Sequence, residues 1–190
     1  MASKVNICNR ALARLGASRI TALTDNTSEA KYCNLLYNDV AAEVMVMGSW
    51  TAATRRAELN ATVDTPDFEY SYEFQLPTNP KCLKVLSVDE WSHGAEEFKI
   101  EGDKLLSNNS TAHIKYIAYL TDPESYGVYL TSAIIARLAF EMSYPLVGQA
   151  SIRADLRQES LQDIAIALSL DGQQGSADEL TSDTLLDVRW

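Results

Sequence analysis

Residues 125 to 144 read Ser-Tyr-Gly-Val-Tyr-Leu-Thr-Ser-Ala-Ile-Ile-Ala-Arg-Leu-Ala-Phe-Glu-Met-Ser-Tyr, directly after Asp122-Pro123-Glu124. Any fold for this chain has to begin by hiding them. Asp122 or Ser125 is placed to accept from orphan amides, Glu124 complements a helix N-terminus, and Pro145 is placed to stop the run. The spacing predicts one helix of about five turns. Its polar strip is thin, chiefly Thr131, Ser132, Arg137 and Glu141, and a helix apolar nearly all round needs cover on several sides. The expectation is that the chain covers part of this helix and a neighbouring copy the rest, with Tyr126, Tyr129, Ile135 and Phe140 at the subunit interface.

The flanking sequence supplies further helices. Val5, Cys8, Leu12 and Leu15 recur at helical steps behind Ser3, with Gly16 as a stop, which predicts a first helix over about 4 to 15. The polar cluster Thr24-Asp25-Asn26-Thr27-Ser28 supplies the next cap for an amphipathic helix over about 28 to 47. Gly48-Ser49 ends it, and Trp50 reads as a core plug where the path turns. After Pro145 and Gly148, a fourth helix is expected over 149 to 170, with Ile152, Leu156, Leu161, Ile164, Ala165 and Leu168 on one face and Asp171-Gly172 as its stop.

Between the second helix and the central one the period changes from helical to alternating. Residues 51 to 60 are weakly patterned, and 61 to 67 read as a loop. Phe68 to Leu76 alternates without a break and predicts a half-buried strand containing Tyr70 and Tyr72, ended by Pro77. Lys81 to Val88 predicts a second strand with a bulge at Val85-Leu86. Asp89 to Glu97, with Trp91 and His93, reads as a loop. Phe98-Lys99-Ile100, a turn at 101 to 103 and Lys104-Leu105-Leu106 predict a hairpin, and Ala112 to Leu120 the last strand. The fold class is therefore α+β: an antiparallel bundle of about four helices (1–50 and 122–170) carrying a small, mostly antiparallel sheet of about four or five strands as an insertion (51–121), then a flexible tail (171–190).

Composition narrows the function classes. The chain has 190 residues and a net charge of −10, which disfavours wrapping nucleic acid because phosphate binding needs clustered cations. Cys8, Cys33 and Cys82 lack metal-site spacing and read as buried reduced thiols; with only His93 and His113 available, neither a metal nor another cofactor is expected. No signal peptide or membrane span is read, so synthesis in a cytoplasm is expected. Nucleophile elbows, phosphate loops and zinc-protease motifs are not found, and the chain is expected not to be an enzyme. Glu69 and Glu73 read as solvated strand carboxylates, and His113 as a half-exposed spacer. A cell-wall hydrolase using carboxylates is the weak catalytic alternative.

The tail carries Leu180, Leu185, Leu186, Val188 and Trp190 beyond a small, polar linker, and apolar groups on such a tether mark a segment that docks into a different protein or a neighbouring copy, the alternative being that it folds back on the chain's own helices.

In order and spacing, several pieces together resemble one family. They are Val5-Asn6 to Leu15-Gly16, Ile20-Thr21-Ala22-Leu23, Glu29-Ala30 with Tyr37, and Trp50-Thr51-Ala52-Ala53-Thr54-Arg55-Arg56-Ala57-Glu58-Leu59. Tyr70-Ser71-Tyr72-Glu73-Phe74-Gln75-Leu76-Pro77, Leu83-Lys84-Val85-Leu86, Ile114-Lys115-Tyr116-Ile117 and Asp122-Pro123 complete them. The chain is similar here, over residues 4 to 145, to the head-to-tail adaptor (connector) proteins of tailed bacteriophages, the tail tubular protein A group included. It departs from that pattern at Ala52, where an aromatic is frequent, and beyond residue 171. The resemblance implies a structural virion protein in the neck, a ring of twelvefold symmetry between the portal protein and the tail nozzle or other tail proteins, with tail fibres a further candidate partner. DNA would pass through the ring without specific binding, and the segment carrying Leu180, Leu185, Leu186, Val188 and Trp190, with Trp190 as its anchor, would dock into the portal. A head-completion or tail-terminator protein of a long-tailed phage shares the architecture and is the alternative.

Overall fold

Ser3 opens the first helix as its position predicts: its hydroxyl accepts from the Asn6 amide at 3.1 Å and starts α1 (Lys4–Arg14). The chain leaves through Gly16 at φ +66°, a left-handed conformation that costs glycine nothing. Thr27 caps α2 (Ser28–Val46) in the same way, accepting from Ala30 at 3.2 Å. Trp50 then turns inward, is fully buried and donates its Nε1–H to the Val44 carbonyl at 2.8 Å. It is the plug its position predicts.

The computed structural model describes residues 3–89 and 98–174. Within them the chain is an α+β protein with four α-helices and two small antiparallel sheets. In chain order, the strands β1 (Thr54–Asn60), β2 (Tyr72–Gln75), β3 (Cys82–Val88), β4 (Phe98–Glu101), β5 (Lys104–Ser107) and β6 (Thr111–Ala118) follow α2. They are followed by a 3-10 turn (Pro123–Tyr126), α3 (Gly127–Val147) and α4 (Ala150–Gly172). The expected single sheet of four or five strands is instead two sheets of three, ordered β1-β6-β3 and β2-β5-β4.

β6 explains how the layers stack. Its even-numbered Ala112, Ile114, Tyr116 and Ala118 share a core with Leu59, Phe74 and Leu105, so this face meets the second sheet. Ile117, on the opposite face, joins the helix core with Trp50, Leu130 and Ile134. One strand thus serves two cores, because successive side chains point to opposite faces.

Several sequence expectations are corrected. Weakly patterned residues 51 to 60 hold β1, an outer strand on which Leu59 alone is buried. The strand expected over 68 to 76 shrinks to β2, because Glu69 adopts φ +69°, outside the extended region, and leaves Phe68 76% exposed. Glu73 is not solvated: it is buried and pairs with the Lys104 ammonium at 2.5 Å. The expected bulge is present, as a register shift between Val85 and Ser87 against β6. Pro145 does not stop α3; the helix runs on to Val147 and ends at Gly148, φ +70°, whose amide bonds the Tyr144 carbonyl. Nor does the helix begin at 125, since Gly127 at φ +70° separates α3 from the 3-10 turn, whose Asp122 accepts from Glu124.

The largest correction concerns the cover of α3. It packs against α1, α2 and α4 within the one chain, and Leu130, Ala133, Ile134, Ile135, Leu138, Ala139 and Met142 are all buried. No neighbouring copy is needed to hide its middle.

Candidate functional site

Three of the four residues expected at a subunit interface, Tyr126, Ile135 and Phe140, are buried inside the chain, and Tyr129 is half-buried. Tyr126 is held there by Tyr37, the two hydroxyls lying 3.5 Å apart, and burial raises the pKa of both phenols. Tyr70 stands half-buried before β2, Tyr72 opens that strand, and the Pro77 carbonyl accepts from the Cys82 amide at 2.8 Å. The docking segment Leu180, Leu185, Leu186, Val188 and Trp190 lies outside the described residues, as do Trp91 and His93.

The apolar surface that stays open sits chiefly on the outer sides of the helices. On α4, Leu161, Ile166 and Leu170 are 50%, 59% and 40% exposed, although Leu161 and Ala165 were expected on the inner face. The observed inner face is Leu156, Ser160, Ile164, Ala167 and Asp171, a run at three- and four-residue steps. Leu35 on α2 and Val128 and Tyr144 on α3 are also exposed.

Between α3 and α4 lies a groove of about 880 Å³ that the sequence reading missed. Arg137 forms its inner end, donating to both carboxylate oxygens of Glu43 at 3.1 and 2.7 Å and pairing with Glu141 at 2.9 Å. Its guanidinium carbon lies 5.0 Å from the Phe140 ring centroid. Arg153 lies over both Phe140 and Tyr144, at 5.5 and 5.4 Å, and Arg157 follows one turn on. Among the described residues no carboxylate forms an ion pair with Arg153 or Arg157. The signal was available, because Arg153 and Arg157 stand four residues apart and so share one helix face. Chemically the groove offers exposed cations beside aromatic rings, a surface suited to acidic, partly apolar peptide.

A second recess, about 510 Å³, opens over β1 and β6 and is lined in part by Arg56, Glu58, Ser87 and His113. His113 is more than a spacer. Its Nδ1 lies 2.9 Å from Asp89 Oδ1, its amide donates to the same oxygen at 3.1 Å, and the Asp89 amide donates back to the His113 carbonyl at 2.9 Å. Glu58 approaches Nε2 at 4.0 Å from the paired position on β1. This arrangement clamps the end of β3 to β6. Asp89, at φ +46°, takes an uncommon backbone conformation that an aspartate tolerates better than most residues do.

Glu69 and Glu73 do not form an acid pair: Glu73 holds Lys104, and Glu69 faces Lys99 at 3.8 Å. Cys8 and Cys33 are buried together, and the thiol of Cys8 is pushed up by its hydrogen bond to Cys33 and by burial. Among the described residues no group of three or more His, Cys, Asp or Glu side chains is placed to hold a metal ion, and no helix is long and apolar enough to cross a membrane. Comparison with family models and with curated proteins finds no match.

Proposed function

We propose that the chain is a structural virion protein, a head-to-tail adaptor whose copies form a ring beneath a portal and connect a DNA-filled capsid to the tail. In this reading the four helices act as a bundle that forms the ring body, and the two sheets form an insertion displayed from it. The observation that carries the reading is the apolar surface left open once the middle of α3 is covered: Leu161, Ile166 and Leu170 on α4, with Leu35 on α2 and Val128 at the start of α3, are groups a second copy would bury. The ordered resemblance over residues 4 to 145 gives that surface its biological setting. A net charge of −10 suits a conduit wall, since carboxylates along α2 or α4 repel a passing phosphate backbone and avoid retaining it.

The interface thereby moves from the centre of α3 to the outer side of α4, and assembly needs no rearrangement of the core. The experiment is mass measurement by light scattering, first on the isolated protein and then after mixing with the portal protein of the same genome. A ring-sized complex is expected with portal, and Leu161→Glu with Ile166→Glu should abolish it while leaving the melting temperature in place. No added mass with portal at micromolar concentration overturns the adaptor reading.

A further inference from the structure

The groove between α3 and α4 is cationic on a chain that is otherwise strongly acidic, and the same chain carries a segment of complementary character. Residues 175–190 hold Asp178, Glu179, Asp183 and Asp187 against a single Arg189, interleaved with Leu180, Leu185, Leu186 and Trp190. The groove sets Arg153 and Arg157 beside Phe140, Tyr144 and Leu161, so carboxylates and large apolar groups each have a counterpart. The first turn of α4 adds to the positive character, because it contains no acidic residue and Gln149 makes no side-chain cap bond.

Reach permits the match within one molecule. Arg157 lies about 22 Å back along the axis of α4 from Gly172, at 1.5 Å per residue. An extended segment of the length of residues 175–190 spans up to about 50 Å. The segment can therefore turn back along α4 and arrive in the groove with residues to spare.

We propose that the α3–α4 groove is the docking site of the chain's own C-terminal segment, residues 178–190, bound in the free protein by Arg153 and Arg157 and by the exposed Tyr144 and Leu161, with the buried Phe140 ring as the floor beneath Arg153. Carboxylates of the segment neutralise the two guanidinium groups, and its leucines and Trp190 cover Tyr144 and Leu161. The site stands on this chain's charge, chemistry and reach, and is independent of the adaptor reading. If both hold, a portal would have to draw the segment out of the groove, so docking would regulate when the tail becomes available.

The test uses the full chain alone, as a monomer. A Glu-specific protease cuts after Glu179, and the rate of that cut reports how often the segment leaves the groove. The double variant Arg153→Glu with Arg157→Glu should be cut about tenfold faster than the parent, Arg153→Gln with Arg157→Gln should be intermediate, and about 0.5 M salt should speed the parent towards them. Restoring slow cutting by adding Asp183→Arg and Asp187→Arg to the first variant would complete the case. Unchanged melting temperatures show that the variants are folded. Equal cutting of parent and both variants overturns the proposal, and so does protection that disappears on dilution together with a drop in mass, since the occupant would then be a second copy.

Discussion

The Asp171 carboxylate accepts from both the backbone amide and the hydroxyl of Thr51, at 2.6 and 2.9 Å, joining the last turn of α4 to the turn that leads into β1. Asp171 is 6% exposed, so these bonds are made largely out of water, where an unmet acceptor is costly. Asp171→Ala should lower stability by about 1–3 kcal/mol, read as a lower urea midpoint at unchanged slope. Thr51→Val, which removes the hydroxyl and keeps the amide, should cost less than that.

Trp50 is enclosed completely and ties its indole to the α2 carbonyl of Val44. Trp50→Ala should cost about 3–5 kcal/mol by opening a cavity between helices and sheet. Trp50→Phe should fall well short of that, with the residual loss traced to the missing indole donor, since the Val44 carbonyl keeps only its longer bond from the Met47 amide at 3.3 Å. Thermal melts of both variants check the order.

Gly48 ends α2 where Leu168 of α4 presses against it, and a Cβ placed there would fall on a Leu168 methyl. Gly48→Ala should destabilise by about 1–3 kcal/mol through overpacking. Combined with Leu168→Ala the two losses should sum to less than their separate values, because the second substitution removes the atom that clashes. Equal and additive losses in a denaturation cycle would show that the contact does not matter.

Asp25 accepts from the Ala22 and Thr21 amides and the Thr21 hydroxyl at 3.0, 2.8 and 2.9 Å, and these bonds hold its pKa below the usual aspartate value. A depressed carboxylate contributes stability that is present above its unfolded pKa and lost as pH falls through the folded one. The parent should therefore lose stability on acidification below about pH 4, and Asp25→Asn should flatten that part of the profile while leaving the neutral-to-alkaline limb alone. Denaturation midpoints measured down the acid range decide it.

α1 and α2 were legible because their ends are written in local chemistry: Ser3 and the 24–28 cluster start them, and Gly16 and Gly48 stand just past their ends, whereas both expected ends of α3 shifted. β1 was not, because Arg55, Arg56, Glu58 and Asn60 face outward on an outer strand and leave only Leu59 to show burial. Alternation over 68 to 76 overstated β2 because a single residue, Glu69, leaves the extended region, and no side-chain pattern records that. The apolar circumference of α3 was plain from composition, but which elements cover it depends on three helices drawn from both ends of the chain. The arginine groove was half legible, in the spacing of Arg153 and Arg157; its other wall, Phe140 and Tyr144, comes from a different helix and emerges only in three dimensions.

That α3 forms the shared wall of the helical core has a consequence for synthesis. α1 and α2 pack against α3 far more than against each other, so their apolar faces leave the ribosome with little to settle on until the six strands and then residues 127–147 have followed. The nascent chain is thus born sticky, and because its final closure waits for α4, a holding chaperone would be expected to shelter the earlier helices until that last one arrives.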